Sequence, residues 1–134
     1  MIEGLSHITL IFTDLERTSR LFSDIFEAEE VYDSGAKKHS LFKEKFFLII
    51  GVWVVIMESE DIKSETYHHV AFKISDSEYD IYKEKLGAFD IRMRESRPRI
   101  EGEGRSLYFY DYDNNLFELH TGTLEERLDN YSKM

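Results

Sequence analysis

Two stretches of the sequence repeat one pattern, 62 positions apart. Residues 6–12 contain His7 followed by alternating apolar residues, and residues 67–74 contain His69 at the corresponding place. The same offset aligns the residues around and beyond each histidine: Ile8 with Val70, Asp14 with Asp76, and Glu16 with Glu78. One offset that aligns a histidine, a strand and a helix start indicates an internal duplication. The pattern therefore predicts two similar modules with a metal site where they meet.

Each module is predicted to run strand, helix, then three strands. The strands are expected at residues 6–12, 30–32, 46–50, 52–57, 69–74, 91–93, 106–110 and 115–120. A first helix follows the N-cap Asp14, and a second spans about 76–86 with Gly87 as its C-cap. The polar stretch 58–65 is the predicted boundary, so module one covers about 1–60 and module two about 61–122. A C-terminal helix is expected at about 123–132, where Thr123 and Glu126 form a capping box.

Composition limits the class of protein. A chain of 134 residues with 42% apolar and 14% aromatic residues forms one domain, or two small modules that share a core. The absence of cysteine excludes disulfides and thiolate ligands, and the net charge of −10 argues against nucleic acid and anionic membranes as partners. The N-terminus lacks a signal-peptide pattern and the longest apolar run, 46–57, is interrupted by Gly51. A soluble, cytoplasmic protein is expected.

A carboxylate lies inside the last apolar strand of module two. Alternation places Glu118 on the face opposite Phe117 and Leu119, and a glutamate that points inward is costly unless a cation meets it. Together with His7 and His69 it makes a set of two histidines and one carboxylate, which leaves coordination positions open for substrate. These ligands suit Mn²⁺, Fe²⁺, Zn²⁺ or Ni²⁺.

The other histidines carry less information. A single histidine at a strand start is usually a structural hydrogen-bonding residue, so the duplicated positions carry the metal hypothesis. His68 alternates to the other face and His120 shares the face of Glu118, and both are interpreted as structural or supporting residues. His39 carries no signal.

Five of the eight arginines lie between residues 92 and 105, interleaved with glutamate and glycine. An arginine-rich loop in an acidic protein suits a small anion such as phosphate or phosphonate, because the guanidinium fork matches its oxygens. The alternative is a solvated loop whose arginines pair with neighbouring glutamates, and composition alone favours that alternative.

Several of these segments resemble a known family. SHITL at 6–10, HVAF at 69–72, YFYD at 108–111 and LFELH at 116–120 resemble the fosfomycin-resistance proteins of the vicinal oxygen chelate superfamily. Residues 43–47, 97–106 and 124–128 resemble the FosX type, a manganese-dependent fosfomycin epoxide hydrolase. The resemblance covers nearly the whole chain. It implies an α+β fold of paired βαβββ modules with cup-shaped mixed sheets, in a domain-swapped homodimer that has Mn²⁺ bound by His7, His69 and Glu118.

The resemblance also implies roles for individual residues. Thr9 matches the residue that hydrogen-bonds the epoxide oxygen. Four positions match the phosphonate pocket: Tyr67, Ser106, Tyr108 and Arg127. Related enzymes carry a lysine in the loop before Ser106, and Arg94, Arg97 or Arg99 is expected to replace it, with Arg94 as the candidate. Trp53 resembles a residue of the cup wall, although a core role explains it equally well.

Glu44 is the predicted general base for a water nucleophile. It lies near a strand start, where Lys43, Lys45 and the metal would favour its ionised form; apart from the resemblance, an exposed glutamate in a charged turn is the simpler interpretation. Two other functions stay open. The same metal site could add glutathione or another small thiol to fosfomycin, or the chain could be a metal-free antibiotic-binding dimer. The intact ligand set argues against the metal-free dimer, and Glu44 argues against the thiol transferase.

Overall fold

The computed structural model describes residues 1–35, 42–60, 64–96, 99 and 103–134. It divides into two compact units, Met1–Lys63 and Ser64–Met134. Each unit contains a four-stranded mixed sheet, and in each the first strand is followed by a helix and three further strands. The α+β prediction with repeated βαβββ modules is therefore confirmed. Among the described residues, no helix is long and apolar enough to cross a membrane; the cytoplasmic location stays a prediction.

The first unit contains β1 (His7–Phe12), α1 (Leu15–Ile25), β2 (Glu29–Asp33), β3 (Glu44–Ile49) and β4 (Val52–Glu58). The strand order in its sheet is β1-β4-β3-β2, with β1 and β4 parallel and the other pairs antiparallel. The predicted hairpin turn is confirmed: Ile50 and Gly51 both have positive φ, at 46° and 82°. Two such residues make the tight turn whose twist suits antiparallel strands.

The two faces of this sheet differ in chemistry. Phe12 and Phe47 on one face form aromatic contacts with Phe22 of α1, with ring centroids 5.7 and 5.4 Å apart, and all three are fully buried. Asp14 caps α1 by accepting a hydrogen bond from the backbone N–H of Arg17 at 3.0 Å, as its N-cap position predicts. The opposite face carries His7, because side chains alternate along a strand.

The second unit contains β5 (His69–Lys73), a 3₁₀ turn (Asp76–Glu78), α2 (Tyr79–Gly87), β6 (Arg92–Arg94), β7 (Ser106–Tyr110), β8 (Leu116–His120) and α3 (Leu124–Ser132). Its sheet order is β5-β8-β7-β6, again with one parallel pair, β5 and β8. Phe109 and Phe117 stack at 5.7 Å on the face opposite Glu118. The Thr123 cap of α3 is confirmed, since its hydroxyl accepts from the N–H of Glu126 at 3.1 Å.

Some element bounds differ from the predictions. The sequence places β3 at 46–50, whereas the strand begins at Glu44, because the ladder with β4 extends to the pair Glu44 and Met57. Gly87 is not the C-cap of α2 but its last helical residue, and Ala88 is the C-cap. The predicted role of Gly87 required a positive φ, which the structure does not give it.

The chain before β7 and the chain after β8 approach each other at two glycines. A Cβ on Gly122 would lie 2.7 Å from the carbonyl oxygen of Glu103, and one on Gly104 would lie 2.7 Å from the backbone nitrogen of Gly122. Gly104 also has a φ of +89°. Because the nearest atoms are backbone, they cannot move aside without disturbing the sheet, so the close approach requires glycine at both positions.

Replacing Gly122 by alanine should therefore destabilise the fold. We expect the free energy of unfolding to fall by about 1–3 kcal/mol, the usual cost of forcing an extra group into a packed site. Gly87→Ala is the matched control, because nothing lies within 4 Å of a Cβ there and the residue is helical. Chemical denaturation of both variants measures the difference, and equal stability of the two would contradict the interpretation.

Candidate functional site

Glu118 is a buried carboxylate in the middle of the second unit's sheet. Its residue is 5% exposed, and it lies on β8 opposite Tyr108 of β7 and Ala71 of β5. A carboxylate in such a place is stable only if charged or hydrogen-bonding groups meet it. The residues around Glu118 supply those groups, so they define the candidate site of this unit.

His69 directs one ring nitrogen at this carboxylate. Its Nδ1 lies 2.7 Å from the carbonyl oxygen of Tyr67, which can only accept, so Nδ1 carries a proton. Its Nε2 lies 3.1 Å from Oε1 of Glu118. With the proton on Nδ1, Nε2 of a neutral ring is an acceptor, and the carboxylate oxygen Oε1 is an acceptor too. The contact between them therefore requires either a proton or a cation. A carbonyl that orients the ring in this way is the usual support for a metal-binding histidine.

Ser106 hydrogen-bonds the second carboxylate oxygen of Glu118, Oε2. Its hydroxyl donates to Oε2 of Glu118 at 2.6 Å, and its oxygen accepts from Nη2 of Arg99 at 2.8 Å and from Nδ1 of His120 at 2.7 Å. The direction at His120 follows from Arg127, whose Nη2 lies 3.3 Å from Nε2 of His120 and can only donate. His120 is therefore a neutral ring that donates from Nδ1.

These contacts set the protonation of the site. Burial alone would raise the pKa of Glu118, but hydrogen bonds from Ser106 and Tyr108 and the nearby histidines outweigh it and lower that pKa. Burial lowers the pKa of His120, and the charges of Arg127 and Arg99 lower it further against the opposing effect of Glu118. Burial also raises the pKa of Tyr108 far above its ordinary value. At neutral pH the site thus holds an ionised carboxylate, a neutral histidine and a protonated phenol.

Of the three candidate arginines, Arg99 lies in this cluster. Its Nη2 also donates to the Tyr108 hydroxyl at 3.1 Å and lies 3.5 Å from Oε2 of Glu118. Arg94 instead donates to the Tyr110 hydroxyl at 2.6 Å and lies with its Cζ 5.0 Å from the centre of the Tyr67 ring. Arg97 lies outside the described residues.

A buried glutamate that the sequence did not single out supports the arginines. Glu103 is 1% exposed, and its Oε1 accepts from the Tyr131 hydroxyl at 2.8 Å. The same oxygen lies 3.7 Å from Nη1 of Arg99 and 4.0 Å from Nε of Arg127. The only sequence signal for this residue is its position between glycines in the arginine-rich loop. His68, by contrast, is exposed.

The first unit presents a second group of candidates on one face of its sheet. The ladder pairs His7 with Trp53 and Thr9 with Val55, and the ring centroids of His7 and Trp53 are 4.4 Å apart. Glu44 pairs with Met57, two residues beyond Val55, so it shares this face with His7 and Thr9. Glu44 is 6% exposed, which contradicts the interpretation as an exposed residue of a charged turn.

Lys45 does not assist Glu44 as the sequence suggested. It alternates to the opposite face, where its Nζ lies 3.0 Å from a carboxylate oxygen of Glu16 and 3.0 Å from one of Glu30. Lys45 therefore pairs with residues of α1 and β2 and not with Glu44, because side chains one residue apart on a strand point in opposite directions.

The donor set suits a divalent metal ion. Within the second unit, an imidazole nitrogen and a carboxylate oxygen converge, and both are oriented by groups that hold their other atoms. Among the residues that the structure describes, no group of three or more His, Cys, Asp or Glu side chains is arranged to hold a metal ion. Of the three predicted ligands, the structure brings His69 and Glu118 together.

Comparison with known proteins gives one consistent result. The family model of the glyoxalase/bleomycin resistance protein/dioxygenase superfamily matches residues 4–119. The fosfomycin resistance protein FosX of Listeria monocytogenes is 56% identical over 131 residues, which cover 98% of each chain. The metallothiol transferase FosB of Staphylococcus saprophyticus is 32% identical over 137 residues, covering 99% of this chain and 86% of its own.

A solved structure supports the same relationship. It is a crystal structure of a point variant of FosX from Listeria monocytogenes, complexed with Mn(II) and 1S,2S-dihydroxypropylphosphonic acid. It superposes with a TM-score of 0.91 at 56% identity, covering 96% of this chain and 99% of that one.

Proposed function

The chain belongs to the glyoxalase/bleomycin resistance protein/dioxygenase superfamily, and from this premise we propose that it inactivates fosfomycin by adding water to the epoxide, with Mn(II) as cofactor. The observation that carries this function is the match, over almost the whole of both chains, to a FosX protein solved with Mn(II) and a dihydroxypropylphosphonate. That diol has the composition of an epoxypropylphosphonate plus one water. Hydration is therefore favoured over thiol transfer, whose representative is 32% identical.

Three residues would hold the metal: His69 and Glu118 of the second unit and His7 of the first. His69 and Glu118 already direct a nitrogen and an oxygen at each other across 3.1 Å, which supports the assignment, and His7 rests on the resemblance. When bound, Mn(II) supplies Lewis acidity toward the epoxide oxygen. Thr9, on the same sheet face as His7, is proposed to hydrogen-bond that oxygen.

The phosphonate is proposed to bind to Tyr67, Ser106, Tyr108, Arg99 and Arg127. The Ser106 hydroxyl and the Tyr108 phenol lie within hydrogen-bond distance of Nη2 of Arg99, which supports one shared pocket. Guanidinium groups suit a phosphonate because they offer several donors in one plane. Binding the phosphonate fixes the position of the neighbouring carbon, so the water attacks a held substrate.

Glu44 is proposed as the general base. The water oxygen forms a bond to one epoxide carbon while the bond from that carbon to the epoxide oxygen breaks. One proton of the water passes to the Glu44 carboxylate, and the released oxygen takes up a proton from solvent to complete the diol. Glu44 then returns its proton to solvent, so the net change is the addition of one water. Support comes from the burial of Glu44 on the face that carries Thr9 and His7.

The active form is proposed to be a homodimer, as the resemblance implies. Each unit has its own four-stranded sheet, and the family pairs such modules between subunits. Sedimentation at micromolar concentration measures the state, and an active monomer would contradict this part of the proposal.

Incubation of the protein with fosfomycin and Mn(II) in the absence of any thiol should give a product heavier by one water. Chelation of the metal should stop the reaction, and renewed Mn(II) should restore it, because the epoxide oxygen then regains its Lewis acid. Mass spectrometry of the product measures this outcome. A product that forms only with thiol and carries its mass would identify a transferase instead.

Glu44→Gln should lower the hydration rate by about 10²–10⁴-fold, the usual contribution of a positioned general base. Binding of Mn(II) and of fosfomycin should be retained, because the substitution preserves shape. The exposed Glu29 on β2 of the same sheet supplies the control Glu29→Gln, which should leave turnover unchanged. Steady-state kinetics decide, and turnover of the Glu44 variant within threefold of the unmodified protein would rule out the base assignment.

Arg99→Gln should raise the KM for fosfomycin about tenfold to a hundredfold, because a hydrogen bond to a charged group contributes about 1.5–3 kcal/mol. Arg94→Gln, at the end of β6, is the comparison, and its KM should change far less, because Arg94 contacts Tyr110 and Tyr67 instead. A larger effect at Arg94 would restore it as the phosphonate ligand.

A further inference from the structure

Among the charged residues that the structure describes, Glu103 is the most completely buried, at 1% exposed. It lies just before β7, in the loop that carries Arg99, and next to the close approach of Gly104 and Gly122. A buried carboxylate is retained only where partners compensate the loss of water, and here the partners include two arginines. Its place suggests a role beyond packing.

One oxygen of Glu103 lies near a guanidinium nitrogen of each arginine, in both cases a nitrogen other than Nη2. Oε1 lies 3.7 Å from Nη1 of Arg99 and 4.0 Å from Nε of Arg127. The Nη2 atoms of the two arginines point elsewhere: that of Arg99 donates to Ser106 and Tyr108, and that of Arg127 donates to His120. Each arginine is therefore held at one end by the same carboxylate and directed at its other end toward the groups around Glu118.

We propose that Glu103 is a positioning residue that anchors Arg99 and Arg127, so that their Nη2 groups are presented to the phosphonate. This inference rests on the proposed function, since the phosphonate pocket is part of it. Long arginine side chains lose rotational freedom when they bind an anion, and an anchor that orders them beforehand lowers that cost. The third contact, a hydrogen bond from the Tyr131 hydroxyl of α3, reaches the same oxygen without involving either arginine.

The charge of Glu103 and its anchoring role have opposite effects on anion binding. A carboxylate near the pocket repels an anion, so its removal would tighten binding if only charge mattered. If anchoring dominates, removal weakens binding, because the arginines must then be ordered by the ligand itself. The sign of the change therefore separates the two roles.

The test compares Glu103→Gln with Tyr131→Phe in the full-length, Mn(II)-loaded protein. Glutamine keeps the shape of the side chain and an acceptor for Tyr131 but loses the charge that holds the arginines. Phenylalanine removes a hydrogen bond to the same oxygen and leaves both arginine contacts. Inorganic phosphate is the binding probe, measured by calorimetry, alongside KM and kcat for fosfomycin, Mn(II) affinity and Tm.

We expect Glu103→Gln to raise both the Kd for phosphate and the KM for fosfomycin by about tenfold, while kcat stays within about threefold of the unmodified value. An anchor of the arginines strengthens binding of the substrate and of the transition state equally, so its loss raises KM rather than lowering kcat. Mn(II) affinity should not change. Tyr131→Phe should leave the Kd for phosphate within about twofold of the unmodified value, because it keeps both ion contacts of Glu103. This should hold even if Tyr131→Phe lowers Tm as much as Glu103→Gln does. Glu103→Asp retains the charge but withdraws it by one methylene, and it should weaken phosphate binding less than glutamine does.

Unchanged or tighter phosphate binding in Glu103→Gln would overturn the proposal, as would an equal loss in Tyr131→Phe. Should the glutamine variant not fold, phosphate binding by Glu103→Asp as tight as in the unmodified protein would overturn it too. Failure of the proposed function looks different: the unmodified protein would not turn over fosfomycin. Weaker phosphate binding in Glu103→Gln would then still support the anchoring role.

Discussion

The buried carboxylate of Glu118 is the constraint on which the second unit depends. A strand residue with apolar neighbours on both sides in sequence must direct its charge to one face, and that face cannot be apolar. The structure meets this charge with His69 and Ser106, and behind Ser106 with His120 and Arg99. Because the hydrogen bonds and charges outweigh burial, the pKa of Glu118 is lowered and the carboxylate is ionised at neutral pH.

In both units the two faces of the sheet have different chemistry. Each sheet has one face that packs aromatic residues and one face that carries the candidate site residues. Phe12 meets Phe22 of α1 edge to face in the first unit, and Phe109 stacks on Phe117 in the second. The apolar core and the candidate site residues thereby lie on opposite faces of each sheet. A strand alternates its side chains, so a single sequence can satisfy both requirements at adjacent positions. Lys45 and Glu44 illustrate this separation, since they are neighbours in sequence and belong to opposite faces.

Charge balance within the site explains how an acidic protein can bind an anionic substrate. The chain carries a net charge of −10, yet Arg99 and Arg127 both reach the residues around Glu118, Arg99 through Ser106 and Arg127 through His120. Their charges are balanced by Glu103 and Glu118, so the folded protein does not bear two unpaired cations. When a divalent metal and a phosphonate bind together, the positive charge of the metal would offset the negative charge of the phosphonate.

The sequence by itself determined the repeat, the succession of strand, helix and three strands along each module, and the histidines at the strand starts, because regular alternation and a fixed offset can be read without coordinates. The inward direction of Glu118 followed in the same way. Only the tertiary structure brought Arg99 rather than Arg94 to Ser106, buried Glu103 behind the arginines and turned Lys45 toward α1. The physical reason is that the loop of 95–105 has no periodicity, so the reach of its long side chains depends on the path of the backbone. That path is constrained by the contact of Gly104 with Gly122, 18 positions apart in sequence, which no local pattern reveals.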